Sequence, residues 1–325
     1  MKENISLAII IPYYKISHFE VLLEALTKQT NQDFSVYVGN DCSPANPEHI
    51  IEKYYEKLHL KYHKFSARLG HVSLTQQWNR CLNLVNGEEW VWILPDDDLP
   101  SPNCVEEFYR ALDMVDKFNI KIFRLPLEII DYHGSVLNKI GESAPAIETN
   151  YEFYSRVVVG KAASSLGDNI FNKRALVATG GFVDFPKAWG SDHATVLRVS
   201  SGGSISFLKN AKLGFRMSGE NISSDISDGV EKITARIMFA KWMKNNESIF
   251  SQKPESGFYK RFYKKGEYYF VHEWPFSFRI WFKMYKLSVI CYESFSPLPI
   301  IKLLVVKCMK HLPRLIRPDS LSCTF

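Results

Sequence analysis

Several features that identify common classes of protein are missing from this sequence of 325 residues. No GxGxxG motif follows the first apolar segment, which excludes the phosphate-binding turn of nicotinamide enzymes. The six cysteines form no CxxC pair and no Cys/His cluster with zinc-site spacing, so we expect reduced thiols. Glycine (17) and proline (15) are few and no internal repeat occurs, which excludes fibrous and disordered proteins. The 46% of hydrophobic residues is ample for the core of a globular protein.

Long uncharged apolar stretches are missing too. None reaches the roughly 18 residues of a membrane span, and no cleavable leader pattern follows Met1, so we expect a cytoplasmic protein. The charge is uneven, because residues 241–325 hold 15 of the 40 Lys and Arg residues but only six of the 35 Asp and Glu residues. This basic quarter indicates either contact with an anionic partner, such as lipid headgroups, or an ordinary solvated surface.

Apolar segments alternate with helical patterns in the first 120 residues. Residues 7–11, 34–38, 60–63 and 90–94 are predicted strands, and amphipathic segments of about 12 residues lie between them. This alternation predicts an α/β fold with a doubly wound, mainly parallel sheet. The ligand site of such a sheet lies beyond the C-terminal ends of its strands.

Three adjacent carboxylates, Asp96-Asp97-Asp98, directly follow the fourth predicted strand. Carboxylates in such a row repel one another unless a cation shares them, and hard oxygen ligands suit Mg²⁺ or Mn²⁺. Such an ion would also bind a diphosphate. The alternative is a solvated acidic turn before a helix that starts near Pro102.

Five short motifs appear in a specific order: Ile9-Ile10-Ile11-Pro12-Tyr13-Tyr14, Gln29-Thr30, Asn40-Asp41-Cys42-Ser43, Arg68-Leu69-Gly70 and Leu94-Pro95-Asp96-Asp97-Asp98. Together they closely resemble the family 2 inverting glycosyltransferases of the GT-A fold, over roughly residues 5–220. The resemblance implies a GT-A catalytic domain in residues 1–228. Its nucleotide-sugar half would be residues 1–120 and its acceptor half residues 121–228, followed by a helical region in residues 229–325.

The resemblance also implies where the donor binds. It assigns the nucleotide-sugar to Pro12, Tyr13, Tyr14 and Asp41, with UDP favoured over dTDP and GDP. Asp41 could instead only cap its turn. The family pattern there is Asp-Asp-Gly-Ser, whereas this chain has Cys42 in place of the glycine.

Two alignments of the acidic triplet remain open. Anchored on Pro102, the motif makes Asp97 the ligand of Mn²⁺ or Mg²⁺ and Asp96 the ribose or phosphate contact. A literal Asp-x-Asp reading selects Asp96 and Asp98 instead. Asp97 and Asp98 are therefore the candidate metal ligands, with Asp97 favoured.

A later pair of motifs, Gly180-Gly181-Phe182 and Gly190-Ser191-Asp192, resembles the family's Gly-Gly-Phe and Glu-Asp pair. The resemblance makes Asp192 the catalytic base, with Ser191 in place of the glutamate. A carboxylate in that role must reach the acceptor hydroxyl opposite the leaving diphosphate. Asp192 could alternatively only cap the helix that follows. By the same resemblance Arg68 and Arg216 would approach the donor phosphates, although each could equally be structural.

Aromatic and cationic residues interleave in residues 258–265 and 274–283, and an apolar, basic segment follows in residues 299–317. These patterns predict either helices that lie on an anionic membrane surface or a helical subdomain packed on the core. We expect a peripheral protein on the inner face of the cell membrane, with a glycan or lipid-linked glycan as acceptor in bacterial surface polysaccharide synthesis (O-antigen, capsule or exopolysaccharide). No motif indicates nucleic-acid binding. A catalytically inactive GT-A scaffold is the alternative function.

Overall fold

The computed structural model describes residues 7–140, 144–219, 225, 227–272 and 277–292, together with Ile301, Leu303 and Val306. Its strands are β1 (Leu7–Tyr13), β2 (Phe34–Asn40), β3 (His59–Lys64), β4 (Trp90–Ile93), β5 (Leu99–Pro100), β6 (Ile120–Arg124), β7 (Leu127–Ile130), β8 (Val136–Ile140), β9 (Ile147–Glu148), β10 (Asn169–Asn172), β11 (Ser204–Phe207) and β12 (Leu213–Arg216).

The α-helices are α1 (Phe19–Thr27), α2 (Glu48–Tyr54), α3 (Leu74–Leu82), α4 (Cys104–Ala111), α5 (Val115–Phe118), α6 (Asn150–Val158), α7 (Lys173–Ala178), α8 (Ser191–Val199), α9 (Gly229–Asn245), α10 (Phe258–His272) and α11 (Phe278–Tyr292). Short 3₁₀ helices occupy Leu112–Met114, Pro186–Ala188 and Glu247–Ile249.

The larger sheet has the strand order β3-β2-β1-β4-β10-β6-β11-β9. The first four of these strands run parallel, and β10 is antiparallel to both of its neighbours. The predicted α/β class with a mainly parallel, GT-A-type sheet is therefore confirmed. A smaller sheet, β5-β12-β7-β8, places the end of β12 beside the segment that follows β4.

Strand β1 is apolar throughout because both of its faces are covered. Leu7, Ile9 and Ile11 belong to a hydrophobic cluster with α1, α2 and α4. Ala8 and Ile10 belong to a second cluster on the other face, with α3, α6, α8 and the C-terminal helices. Continuous apolar runs are typical of strands in such a sandwiched parallel sheet.

The C-terminal helices α9, α10 and α11 pack on one another and extend the second hydrophobic cluster. Phe258, Phe262 and Phe270 are buried at helical spacing along one face of α10. These aromatic side chains therefore pack inside the protein, as the helical-subdomain alternative predicts. Residues 273–276 and most of residues 293–325, on which part of the membrane prediction rests, lie outside the described residues. Among the described helices, none combines the length and apolar character needed to cross a membrane.

Candidate active site

A cavity of about 600 Å³ opens at the C-terminal edge of β1, β2 and β4. The segments that follow these three parallel strands form one side of it, and they carry Tyr14, Asp41 and Asp97. Helices α6, α8, α9 and α10 also line it, and α8 carries Asp192. Most of the side chains predicted from sequence therefore face one space of the size that holds a small-molecule ligand.

Asp96 ties the loop after β4 to the loop after β1. One of its carboxylate oxygens accepts hydrogen bonds from the backbone N–H groups of Tyr14 (2.8 Å) and Lys15 (2.7 Å). Burial and the neighbouring charge of Asp97 raise the pKa of Asp96 to about 6. Because Asp96 also lines the cavity, it both shapes this wall and offers an acceptor to a ligand.

Asp97 is the carboxylate of the triplet that meets a cation. Its Oδ2 lies 2.9 Å from Lys15 Nζ, and both side chains line the cavity. Lys15 was not among the residues predicted for the site, although it directly follows the predicted Tyr13 and Tyr14. A cation bound at Asp97 would compete with Lys15 for the carboxylate. A ligand phosphate would compete with Asp97 for the ammonium group of Lys15.

Asp98 does not line the cavity. Its Oδ1 accepts the backbone N–H of Arg216 (3.2 Å), and its buried Oδ2 has no hydrogen-bond partner in the described part of the chain. Burial and the charge of Asp97 raise the pKa of this carboxyl well above its ordinary range. A side chain on Gly167 would come within 2.7 Å of Oδ2, so the glycine allows this close packing.

Arg216 holds backbone carbonyl groups and lies outside the cavity lining. Its Nε donates to the carbonyl of Asp97 (2.8 Å), and its Nη1 donates to the carbonyls of Asp131 (3.0 Å) and Tyr132 (2.8 Å). The guanidinium thus holds the backbone of the acidic triplet in place. This arrangement matches the structural alternative for Arg216.

Asp41 organises the loop that follows β3. It accepts the N–H groups of Leu69 (2.6 Å) and Gly70 (2.9 Å) and forms an ion pair with Arg80 of α3. Asp41 also lines the cavity, as do Pro12 and the adjacent Arg68.

The two tyrosines after Pro12 differ in position. Tyr14 lines the cavity, and the Arg68 guanidinium stacks 4.2 Å from the centre of its ring. Tyr13 is fully buried, lies outside the lining, and donates its hydroxyl hydrogen bond to the carbonyl of Ala45 (2.9 Å). Of the two, Tyr14 is the one positioned to contact a ligand in the cavity.

Cys42 has a left-handed backbone conformation, with φ = 53°. A glycine adopts this conformation without steric cost, whereas other residues rarely do. At the position of the family's glycine, Cys42 thus has a backbone conformation that a glycine adopts readily.

Asp192 lies in the first turn of α8 and faces the cavity with 18% of its side-chain area exposed. Burial raises the pKa of its carboxyl to about 6, against the opposing effects of nearby backbone N–H groups and of Lys265. The cap position of α8 is Gly190, and no side chain makes a capping hydrogen bond there. Asp192 is therefore not the cap of this helix.

Ser191, at the position of the expected glutamate, has a structural contact. Its hydroxyl accepts the backbone N–H of Phe185 (3.1 Å), and Thr195 likewise accepts from Val183 (3.0 Å). These bonds hold the segment 183–190 against α8. His193 lines the cavity as well, and burial lowers its pKa to about 3, so the imidazole is neutral.

Besides Lys187, two cations that were not predicted for the site line the cavity, Arg236 of α9 and Lys265 of α10. The only signal for them is a basic residue on an otherwise buried helix face. Among the described residues, no group of three or more His, Cys, Asp or Glu side chains is arranged to hold a metal ion. A metal at Asp97 would therefore need ligand atoms from the substrate.

Residues 8–119 match the sequence model of a family described as glycosyl transferase family 2. The chain carries a family 2 glycosyltransferase domain of the GT-A fold. The matched segment contains β1 to β4 and the acidic triplet, and so it covers the strand-end side of the cavity. No curated protein matches the sequence.

Solved structures similar to this glycosyltransferase extend the comparison of the fold to most of the chain. S. aureus TarS (residues 1–349) in complex with UDP-GlcNAc is 18% identical, with 92% of this chain and 84% of that chain covered and a TM-score of 0.67. The mannosyltransferase PcManGT from Pyrobaculum calidifontis, in complex with GDP-Man and Mn²⁺, is 16% identical over 94% of this chain and 79% of that chain, with a TM-score of 0.54. At these identities the likeness concerns the fold.

Proposed function

We propose that this glycosyltransferase moves a sugar from a nucleoside-diphosphate sugar to an acceptor hydroxyl with inversion, and that Asp192 is the base. The observation that carries the proposal is that Asp97 and Asp192 line the same cavity. The acceptor oxygen attacks the anomeric carbon while the bond to the diphosphate breaks. The hydroxyl proton passes to Asp192, and the nucleoside diphosphate leaves towards the side of Asp97.

The donor nucleotide would lie along the ends of β1, β2 and β4. Pro12, Tyr14, Asp41, Arg68 and Asp96 line this wall and would contact the base, ribose and phosphates. UDP is our favoured nucleotide. TarS with UDP-GlcNAc and PcManGT with GDP-Man are the neighbours that support a nucleotide-sugar donor, and they differ in the base.

Asp97 would hold a Mn²⁺ or Mg²⁺ ion together with the donor diphosphate. Divalent ions of this kind are bound by one or two carboxylates plus substrate phosphates, and Asp97 lines the cavity with its carboxylate already paired to a cation, Lys15. The ion would neutralise charge on the departing diphosphate. Lys15, freed from Asp97 by the ion, would remain within reach of the same phosphates.

The test of the base is Asp192→Asn. We expect turnover of the preferred UDP-sugar to fall by roughly 10²–10⁴-fold, the usual contribution of a positioned base, while the affinity for UDP stays unchanged. Equal turnover by the variant and the wild type would refute the role of Asp192. If UDP binds but no UDP-, dTDP- or GDP-sugar is turned over by the wild type, the inactive-scaffold alternative is correct.

We further propose that the acceptor is a lipid-linked glycan of bacterial surface polysaccharide synthesis and that the protein binds the inner face of the cell membrane. Support comes from α11, where Phe278 (70% exposed) and Phe282 (51%) share the surface with Arg279 and Lys286. Exposed aromatics beside cations suit an anionic lipid surface. Co-sedimentation with anionic vesicles, lost in Phe278→Ser/Phe282→Ser and absent with neutral vesicles, tests this part.

A further inference from the structure

The wall of the cavity that carries Asp192 also carries two cationic side chains. Arg236 projects from α9 and Lys265 from α10, and both line the cavity near Tyr154 and His193. The charges of Lys265 and Asp192 influence each other, and so do those of Lys265 and Arg236. The two cations therefore belong to the same region as the proposed base.

Arg236 is buried, and it has no counter-ion among the described residues. Its Nη2 donates to the carbonyl of Phe262, its guanidinium stacks 4.0 Å from the centre of the Phe262 ring, and its buried Nε has no partner within the described residues. No carboxylate in the described part of the chain forms an ion pair with it. Burial lowers its pKa, which reflects the cost of holding this charge away from water.

Lys265 is half-buried. Its Nζ donates to the carbonyl of Val157 at 3.0 Å, and it too has no ion pair among the described residues. Burial and the neighbouring Arg236 lower its pKa to about 8. Lys15 and Lys187, which also line the cavity, differ in this respect because each pairs with an aspartate, at 2.9 Å and 3.0 Å.

Buried cations are destabilising unless an anion pairs with them, either from the protein or from a ligand. We infer that the acceptor carries an anionic group, a phosphate or a carboxylate, and that Arg236 and Lys265 bind it beside Asp192. This inference rests on the proposed function, because it assumes that the Asp192 wall receives the acceptor. It specifies a class of substrate that the family and the fold leave open.

The position of the two cations favours the acceptor over the donor. The donor wall is built from the loops after β1, β2 and β4, and it has its own cations in Lys15 and Arg68. Arg236 and Lys265 lie on the C-terminal helices, outside the segment that matches the family. An anion bound there would anchor the acceptor while its hydroxyl meets Asp192.

The inference is tested by thermal unfolding of the full chain with methyl phosphate, glucuronate or methyl glucoside at constant ionic strength, with and without UDP and Mn²⁺. A ligand of the native state raises the melting temperature as its concentration passes the dissociation constant. We expect at least one anion, but not methyl glucoside, to stabilise the wild type. Lys265→Met should weaken that binding by about fivefold or more, as expected for the loss of a charge-assisted contact.

The matched control is Lys264→Met, which removes the exposed lysine one position earlier on α10 and should bind the anions as the wild type does. Arg236→Lys keeps the buried charge and should bind more weakly than the wild type, because it loses the planar, forked donor. Preference for methyl phosphate assigns a phosphate-bearing acceptor, and preference for glucuronate assigns a uronic acid.

Three results would overturn the inference. They are stabilisation by methyl glucoside equal to that by the anions, equal anion binding by Lys265→Met and Lys264→Met, and a loss of UDP affinity in Lys265→Met with anion binding intact. The last result would place the cations on the donor. Failure of UDP to bind the wild type would count against the proposed function alone, because the anions are also tested without UDP.

Discussion

Asp192, the proposed base, illustrates how burial changes the acidity of a single side chain. Its carboxyl has a pKa of about 6 because the surrounding helices remove much of its solvation, while Lys265 and nearby N–H groups limit the shift. A base with such a pKa is ionised at neutral pH and still binds a proton more strongly than an exposed aspartate does.

The pH dependence of turnover follows from this value. Only ionised Asp192 can accept the hydroxyl proton, so kcat should be constant above neutrality and fall about tenfold per pH unit below pH 6. The pKa of Asp96, which lines the wall proposed for the donor, also lies at about 6. Its protonation would change the affinity for the donor over the same pH range, so kcat should be measured at saturating donor. A kcat that stays constant down to pH 5 would contradict the role of Asp192 as base.

Sequence reasoning at this scale could locate a residue where the motif itself sets the position. Asp41, Asp97 and Asp192 reach the cavity because each follows a strand end or opens a helix at its edge. It could not place Asp98 and Arg216, since their partners come from distant parts of the chain. The carbonyls of Asp131 and Tyr132 that hold Arg216 are 85 and 84 residues away from it in sequence, and no local pattern encodes that contact.

Helix α8 depends on the segment that precedes it. Lys187, Ala188 and Gly190 all have positive φ angles, and Gly190 lies directly against Phe239 of α9. Only a residue without a Cβ fits there, because an added Cβ would lie 2.9 Å from the ring of Phe239. The glycine thus sets the distance between α9 and the helix that carries Asp192.

We predict that Gly190→Ala destabilises the protein and lowers kcat. The matched control is Gly202→Ala, which has φ = 69° and no atom within 4 Å of the added Cβ. The control should lower the free energy of unfolding by about 1 kcal/mol, because alanine disfavours this backbone conformation. Gly190→Ala should lower it by about 1–3 kcal/mol more, because of the clash with Phe239. Denaturant unfolding and kcat measure both variants. Equal stability losses would contradict the steric account of Gly190.

The elements themselves differ in how well their sequence predicts them. Strands β1, β2 and β4 are short apolar runs between turn signals, and this pattern predicts strands in a sandwiched sheet. The aromatic and basic residues of α10 are consistent with two interpretations, a helix on a membrane surface and a helix packed on the protein core. Phe258, Phe262 and Phe270 recur on one face of the helix, and whether that face meets lipid or protein depends on α9 and α11, which are distant contacts.

At the scale of the whole molecule, the cavity separates two walls of different origin. The wall that we propose for the donor belongs mainly to residues 8–119, which match the family, whereas α9 and α10 complete the wall that carries Asp192. The large sheet carries a hydrophobic cluster on each face, and the second cluster joins the sheet to these C-terminal helices. The domain boundary that the sequence indicates near residue 228 thus falls between two segments that share a hydrophobic core. The helical region after it contributes residues to the cavity.

The central claim is that the donor wall binds a nucleoside diphosphate with a metal ion on Asp97. Calorimetric titration of UDP into the wild type, with and without Mn²⁺, tests it most directly, with Asp97→Asn and Asp98→Asn as the paired variants. We predict that UDP binds at least about tenfold more tightly with Mn²⁺. This gain should be lost in Asp97→Asn and kept in Asp98→Asn, because Asp97 lines the cavity and Asp98 does not. Equal UDP affinity with and without Mn²⁺, or metal dependence that survives in Asp97→Asn, would contradict the account.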